Sequence, residues 1–373
     1  MSSPTKERYE GRFAARRKLP ARRITGGVLA LVILLLTLVR AGAETFKLLS
    51  YADVLIGGSR MLVYGNLSQV DLPEAVKNRE DDEPVPIVRL DDGTSIRYNG
   101  HTYRLNRDLT TVLFLGIDHP IHDVEVIGTG GQSDVILLGI IDTKTGKTSV
   151  LNISREAYAQ VDIYSVSGMF VETKFEQITL AYNYGDGKHT SAQNSVRSVS
   201  RLLYGLPISS YIALDLDGIM AVNEAVGGVT VEALEELDMP GNWVLRPGEQ
   251  IELHGKDLER YIRSRGTGVE SNAARMERQK QYITEFTKVV VNKSKSDLSF
   301  PVELFSAVAP YMVTNLEIPD VAFLSSTFLS HGASFSLRDI DGSYDMLGDN
   351  AVYYLDETDL FEAVLELFYT QVD

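Results

Sequence analysis

Three short apolar segments, each tied to a charged residue at one end, most restrict the folds open to this chain. They are TVLFLGID, which ends at Asp118; GQSDVILLGIID, in which Asp134 precedes the apolar run; and KTSVLNISRE, which ends at Arg155 and Glu156. Each run is short, rich in Val, Ile and Leu, and bounded by turn residues, the pattern of a strand. The second and third are joined by DTKTG, a turn sequence that predicts a hairpin. A chain running up, down and up brings Asp118, Asp134 and Arg155 to one sheet edge. Carboxylates there suit a divalent cation, and an arginine beside them suits phosphate. Either aspartate alone reads equally well as a turn cap. Their convergence with Arg155 is what points to a phosphorylated ligand.

The remaining pattern extends this sheet into a domain. Residues 191–205, SAQNSVRSVSRLLYG, read as a helix ended by glycine, and SYIALDL reads as a strand. Asp217 is a natural N-cap for GIMAVNEAVGG, with Gly227 at its stop, and VTVEAL is a further strand. LRPGEQIELHG is turn-rich, and KDLERYIRSR opens another helix. Upstream, residues 95–105 alternate around Asn99-Gly100, a strong hairpin pattern. Residues 157–178 are less regular and have the length of a lid or groove wall. Strands alternating with helices, with some hairpins, predict a three-layer α/β domain around a mixed sheet. The segment after Val291, with YMVTNLEI and DLFEAVLELF, is expected to complete it with helices.

A second set of cations follows. Arg263 and Arg265 in YIRSRG would point about 200° apart on a continuous helix. They address one ligand only if the helix ends there, as Gly266 and Gly268 permit; otherwise they are a solvated pair at a helix C-terminus. The next helix, starting near Ser271, has an apolar face of Met276, Ile283, Phe286 and Val290. Gln279 falls on that stripe and Arg275 lies one turn before it, so both need polar partners, and a ligand phosphate is a good one. Arg278 points partly away and reads as a surface charge. His119 and His122 straddle a proline loop without a third ligand, which argues against zinc. No P-loop, G-x-S-x-G or Rossmann glycine pattern is present.

Charge distribution bears on location. The chain has a net charge of −15, yet residues 1–43 hold nine Lys or Arg against two Glu, leaving −22 on the remainder. So acidic a body does not suit nucleic acid. Residues 24–39 carry no charge and follow RRKLPARR, with Arg40 alone among the nine cations after them. This favours a signal-anchor with a cytoplasmic N-terminus and an extracytoplasmic body. Ala41-Gly42-Ala43 supplies the competing reading, a cleavable signal peptide. The absence of cysteine excludes disulfides and thiolate sites.

Seven segments in order, LFLGID, GQSDVILLGIID, LNISRE, ITLAYNYG, LDLDGIMAVNEAVGGVTVE, LRPGEQIELHGKDLERYIRSR and ARMERQKQ, resemble the LytR-CpsA-Psr family over about residues 110–290. The resemblance implies an α/β/α sandwich with a hydrophobic groove for a polyprenyl tail. It divides the chain into a basic leader (1–23), a transmembrane signal-anchor (24–43), a linker or accessory segment with a hairpin (44–107) and a catalytic domain (108–373). It implies transfer of a glycopolymer phosphate from a polyprenyl-pyrophosphate carrier to a muramic-acid hydroxyl of peptidoglycan, at the outer membrane face of a mainly Gram-positive cell. Carried over, Asp118 and Asp134 hold Mg²⁺, and Arg155, Arg263, Arg265, Arg275 and Gln279 bind the pyrophosphate. Asp118, Asp134, Arg155, Arg263 and Arg265 form the catalytic set. The chain departs from the family pattern at Gln132 (usually Arg), Glu156 (Asp), Gln177 (Lys) and Asn272 (Asp). Two lost cations and one lost carboxylate leave two other readings open: an impaired lipid-pyrophosphate binder with a regulatory or scaffolding role, and a pyrophosphate hydrolase on the same lipid.

Overall fold

In the computed structural model the three apolar segments are neighbouring strands of one sheet. The structure describes residues 70–79, 83–121, 126–264, 271–297, 300–330, 335–348 and 350–373. The expected membrane segment at residues 24–43 and the leader before it, as well as His122 and Arg265, lie outside them. Among the described residues no helix is long and apolar enough to cross a membrane.

The central sheet has six strands: β1 (Leu109–Ile117), β2 (Ser133–Asp142), β3 (Thr148–Ile153), β4 (Ser210–Asp215), β5 (Met312–Thr314) and β6 (Phe335–Asp339). They lie in the order β5-β4-β1-β2-β3-β6. β1 and β2, β2 and β3, and β4 and β5 pair antiparallel, while β4 runs parallel to β1 and β6 to β3, so the sheet is mixed. Five helices matter for the site: α1 (His189–Leu202), α2 (Leu216–Ala225), α3 (Gly255–Arg263), α4 (Ser271–Ser296) and α5 (Glu357–Phe368).

The near-continuous apolar runs are explained by burial on both faces. On β1, Val112 and Phe114 enter one core while Leu113, Leu115 and Ile117 enter the other; β2 sorts Leu137 and Ile141 from Ile136, Leu138 and Ile140 in the same way. The first core is completed by Val222 on α2, Leu258 and Tyr261 on α3, and Tyr282, Phe286 and Val290 on α4. The second takes Ala192 and Val199 from α1 and Phe361, Val364 and Phe368 from α5. Helices on both sides give the three-layer α/β/α arrangement. Of the stripe expected on α4, Phe286 and Val290 are buried; the side chains of Met276 and Ile283 lie outside the described set.

Three expectations need correction. Residues 157–178 form a hairpin, Tyr158–Tyr164 against Phe170–Gln177, in register from Tyr158 opposite Gln177 to Ile163 opposite Glu172, with a one-residue bulge before Phe170 meets Tyr164. Its second strand is exposed along most of its length, so it lacks the burial pattern that marks a strand in sequence. The segment after Val291 contributes β5 and β6 as well as helices. The predicted hairpin at residues 95–105 forms, with Asn99 and Gly100 at φ 47° and 80°, and pairs with the terminal strand Tyr369–Gln371.

The third correction concerns the cap of α2. Asp215, at the end of β4, caps it in place of Asp217, accepting from the Gly218 N–H at 2.8 Å. Its other oxygen accepts from the Ile121 N–H at 2.9 Å, three residues beyond Asp118. One buried carboxylate therefore starts a helix and pins the loop leaving β1. Asp215→Ala strands two buried donors, so it should lower the unfolding free energy by ~2–4 kcal/mol. A urea melt checks this; a loss under ~1 kcal/mol would mean water replaces the carboxylate.

Candidate active site

Asp134 owes its position to a break in strand register. Gly116 on β1 pairs with Val135 on β2, but the next residue, Ile117, pairs with Ser133. Asp134 is thus an extra residue on β2, a bulge, and a bulge re-aims the side chain it carries. Asp118 follows the last residue of β1. Its N–H donates to the Gln132 carbonyl at 3.1 Å, and its Oδ1 accepts from the Gln132 N–H at 2.6 Å. The loop closes this tightly because of Gly131, which has φ +79°. A Cβ there would stand 2.5 Å from His119 Cβ and 2.7 Å from Asp118 Oδ1.

Arg155 arrives from the turn after β3. Its guanidinium forms an ion pair with Asp134 through Nη1 and donates from Nε to Glu156 Oε1 at 2.8 Å. Ser154 Oγ holds the other Glu156 oxygen at 3.2 Å. Thr179 stitches the two strands together: its N–H donates to the Arg155 carbonyl at 3.1 Å and its hydroxyl to the Ser133 carbonyl at 3.0 Å. Asp118, Asp134 and Arg155 do converge on one sheet edge. Glu156 and Thr179 belong to the same constellation, which sequence reading had not included.

The edge is electrostatically unbalanced. Partial burial pushes the Asp134 carboxyl above the usual carboxylate range; Arg155 opposes that, and the charges of Asp118 and Glu156 add to it. Three carboxylates against one guanidinium leave a net charge of −2, which favours a cation. Among the described residues no group of three or more His, Asp or Glu side chains is arranged to hold a metal. Magnesium commonly uses one or two carboxylates and takes its other ligands from water and substrate phosphate. Hard oxygens on Asp118 and Asp134 fit that mode.

The second set of predicted residues sits on α3 and α4. α3 ends at Arg263, and Ser264 leaves it with ψ 133°, so the helix stops where a shared ligand for Arg263 and Arg265 requires. Arg263 is exposed and pairs with Glu259, one turn back, at 2.9 Å. Arg275 is half-buried on α4. Gln279 donates one amide hydrogen to the Ile262 carbonyl at 2.9 Å, and its amide carries a second donor hydrogen. Neither Arg263 nor Gln279 hydrogen-bonds to the acidic edge among the described residues. Arg278 overturns its reading as a surface charge: it is 1% exposed. α3 covers the flank of α4 beside the apolar stripe, and Arg278 lies between the two helices, donating to the Tyr261 carbonyl at 2.7 Å. At the departures from the family pattern, Gln132 serves Asp118 with its main chain, and Gln177 Nε2 donates to the Ala351 carbonyl at 2.6 Å.

The chain is thus a three-layer α/β domain built on a mixed sheet, with an acidic, arginine-paired edge at Asp118, Asp134 and Arg155. The chain belongs to the LytR_cpsA_psr family, whose profile matches residues 69–367. It is 25% identical over 304 residues to the polyisoprenyl-teichoic acid–peptidoglycan teichoic acid transferase TagU of Oceanobacillus iheyensis, covering 81% of this chain and 84% of that one. The Bacillus licheniformis protein of the same name is 24% identical over 264 residues, 70% of this chain and 78% of its own. The crystal structure of Bacillus subtilis TagV superposes with a TM-score of 0.50 at 24% identity, covering 69% of this chain and 95% of that one. The fold is shared.

The Asp134 titration is open to direct measurement. Because its carboxyl is pushed up in the folded state, the protein binds more protons there than when unfolded, and stability contributed by this group falls as pH rises through that window. Asp134→Asn should therefore leave the thermal midpoint of the metal-free protein at pH 7 unchanged or higher. In Asp118→Asn the Asp134 carboxyl carbon, followed by NMR, should titrate at lower pH than in the wild type. An unmoved titration would show that the two carboxylates do not sense each other.

Proposed function

We infer that this chain is a glycopolymer phosphotransferase acting outside the cell membrane, held there by its N-terminal anchor. The donor is a glycopolymer on a polyprenyl pyrophosphate, and the acceptor is a peptidoglycan hydroxyl. The observation that carries this reading is the Asp118–Asp134–Arg155 edge within a chain of this family, whose relatives are named as teichoic acid–peptidoglycan transferases.

In the reaction the acceptor oxygen forms a bond to the glycopolymer phosphorus as the bridging P–O bond breaks. The electron pair leaves on polyprenyl phosphate, and the acceptor proton passes to solvent water. Charge builds on the phosphate oxygens, so catalysis rests on placing cations before the reaction begins. Arg155, Arg263, Arg265 and Arg275 orient and neutralise the pyrophosphate, and the Gln279 amide donates one hydrogen bond to it. Asp118 and Asp134 hold Mg²⁺, which supplies Lewis-acid polarisation of a phosphate oxygen when bound. Metal binding uses the ionised carboxylate of Asp134, and its pairing with Arg155 favours that form.

A binder without transfer remains the second reading, favoured by Gln132 and Gln177, whose described hydrogen bonds are to Asp118 and to backbone. The deciding experiment mixes the protein with a short synthetic polyprenyl-pyrophosphate sugar, peptidoglycan oligomers and Mg²⁺. Transfer should be magnesium-dependent and fall by on the order of 10²–10³-fold in Arg263→Ala and in Asp118→Asn. Donor binding without product, with a large gain on joint Gln132→Arg and Gln177→Lys substitution, would establish the binder. Free polyprenyl phosphate without attached polymer would instead mark a hydrolase.

A further inference from the structure

Helix α3 ends at Arg263, and a helix end leaves its last carbonyls without intrahelical partners. Here side chains from α4 meet three carbonyls at that end. Arg278 Nε donates to the Tyr261 carbonyl at 2.7 Å, Gln279 Nε2 to the Ile262 carbonyl at 2.9 Å, and Arg278 Nη2 to the Ser264 carbonyl. Arg278 Nη1 is paired with Glu235, and the guanidinium carbon lies 5.9 Å from the Tyr261 ring centroid. The Tyr261 hydroxyl donates in turn to Gln281 Oε1 at 2.5 Å, and Gln281 Nε2 donates to the Glu232 carbonyl at 2.6 Å. Each of the three guanidinium nitrogens thus has a protein acceptor, and Arg278 is too buried to reach a ligand phosphate without leaving its place.

We propose that Arg278, oriented by Glu235, is a positioning residue that locks the end of α3 onto α4. It sets Arg263 in a fixed relation to Arg275 on the neighbouring helix. The inference rests on the reading of those two arginines as pyrophosphate ligands and adds what holds them in register. Burying a guanidinium carries a large desolvation cost, which a charge on an exposed surface would not incur. The return is geometric: a planar fork satisfies two carbonyls and a carboxylate at once, which a lysine cannot do. Phosphoryl transfer repays such rigidity, since a displacement of about 1 Å at the reacting centre costs on the order of 10²-fold in rate.

The test compares Glu235→Gln, Arg278→Met, the double variant and Arg278→Lys in the full-length protein. Affinity for inorganic pyrophosphate with Mg²⁺ is read by calorimetry, at a temperature where circular dichroism and thermal melts show each variant folded. Both single variants should weaken pyrophosphate binding by about tenfold or more and lower transfer kcat more than they raise KM. The double variant should be no worse than the worse single, and Arg278→Lys should recover little. If Arg278 were itself an anion ligand, Glu235→Gln would free its charge and leave binding unchanged or tighter, which overturns the proposal. Lower melting temperatures with unchanged affinity and kcat would reduce the clamp to a stability feature and overturn it as well. Should Arg278→Met fail to fold, Glu235→Gln, a milder change at a half-buried site, carries the test alone. Arg263→Ala serves as reference. If it weakens pyrophosphate and Glu235→Gln does not, the positioning role alone falls; if Arg263→Ala has no effect, the pyrophosphate assignment falls and the clamp with it.

Discussion

The pairing of β1 with β2, with one extra residue at its end, is the constraint on which the acidic edge depends. Without the bulge, Asp134 would occupy an ordinary ladder position in a sheet covered on both faces, where a carboxylate is costly. The bulge takes it out of the ladder and leaves it half-buried beside Asp118. That placement costs free energy through desolvation, which pushes the Asp134 carboxyl up, and Arg155 offsets part of the cost. The site stores an electrostatic imbalance that a bound cation would relieve. Its supports are backbone groups: Gly131 allows the close approach of the loop to Asp118, and Thr179 ties the start of β2 to the turn bearing Arg155.

The arginine set depends on a different kind of contact. Its described members, Arg263, Arg275 and Gln279, lie on α3 and α4, so their relation is a matter of helix packing rather than strand register. Tyr261 and Leu258 on α3 share a core with Tyr282, Phe286 and Val290 on α4, which holds the helices together through non-directional burial. Burial of that kind tolerates small shifts and rotations. The hydrogen bonds from Arg278 and Gln279 to the last carbonyls of α3 remove that freedom, since each has a preferred distance and direction.

What the sequence conveyed follows this division. Strands β1, β2 and β3 were legible because both faces of the sheet are covered and the runs are therefore apolar throughout. The Asn99-Gly100 and DTKTG turns were legible because they are local chemistry. The hairpin at residues 157–177 was missed because most of its second strand faces solvent, so that strand lacks the apolar pattern that burial imposes. Asp215 was passed over in favour of Asp217 because both precede the helix, and only the tertiary contact to Ile121 selects between them. Arg278 could not be found from helical spacing. Its position beside the apolar stripe marks a surface residue unless a second helix covers that flank, and nothing local in the sequence reports where α3 will lie.

The contrast between Arg278 and Arg263 separates structural arginines from ligand-binding ones. The described ion-pair partner of Arg263 is Glu259, on the same exposed helical face, with 61% and 38% of the two side chains accessible. Such a pair is worth only a few tenths of a kcal/mol, so a phosphate can displace it at little cost. The pair of Arg155 with Asp134 is also open to solvent, at 38% and 43%, and a cation at Asp134 would release Arg155 toward an anion. Arg278 has no such freedom, because displacing it would strand backbone carbonyls and leave a buried charge without partners. Arg263 and Arg155 therefore have partners that can be exchanged, and Arg278 has partners that must be kept. A site that receives a charged ligand and releases a charged product needs both kinds: cations free to change partners, and a frame that does not move when they do.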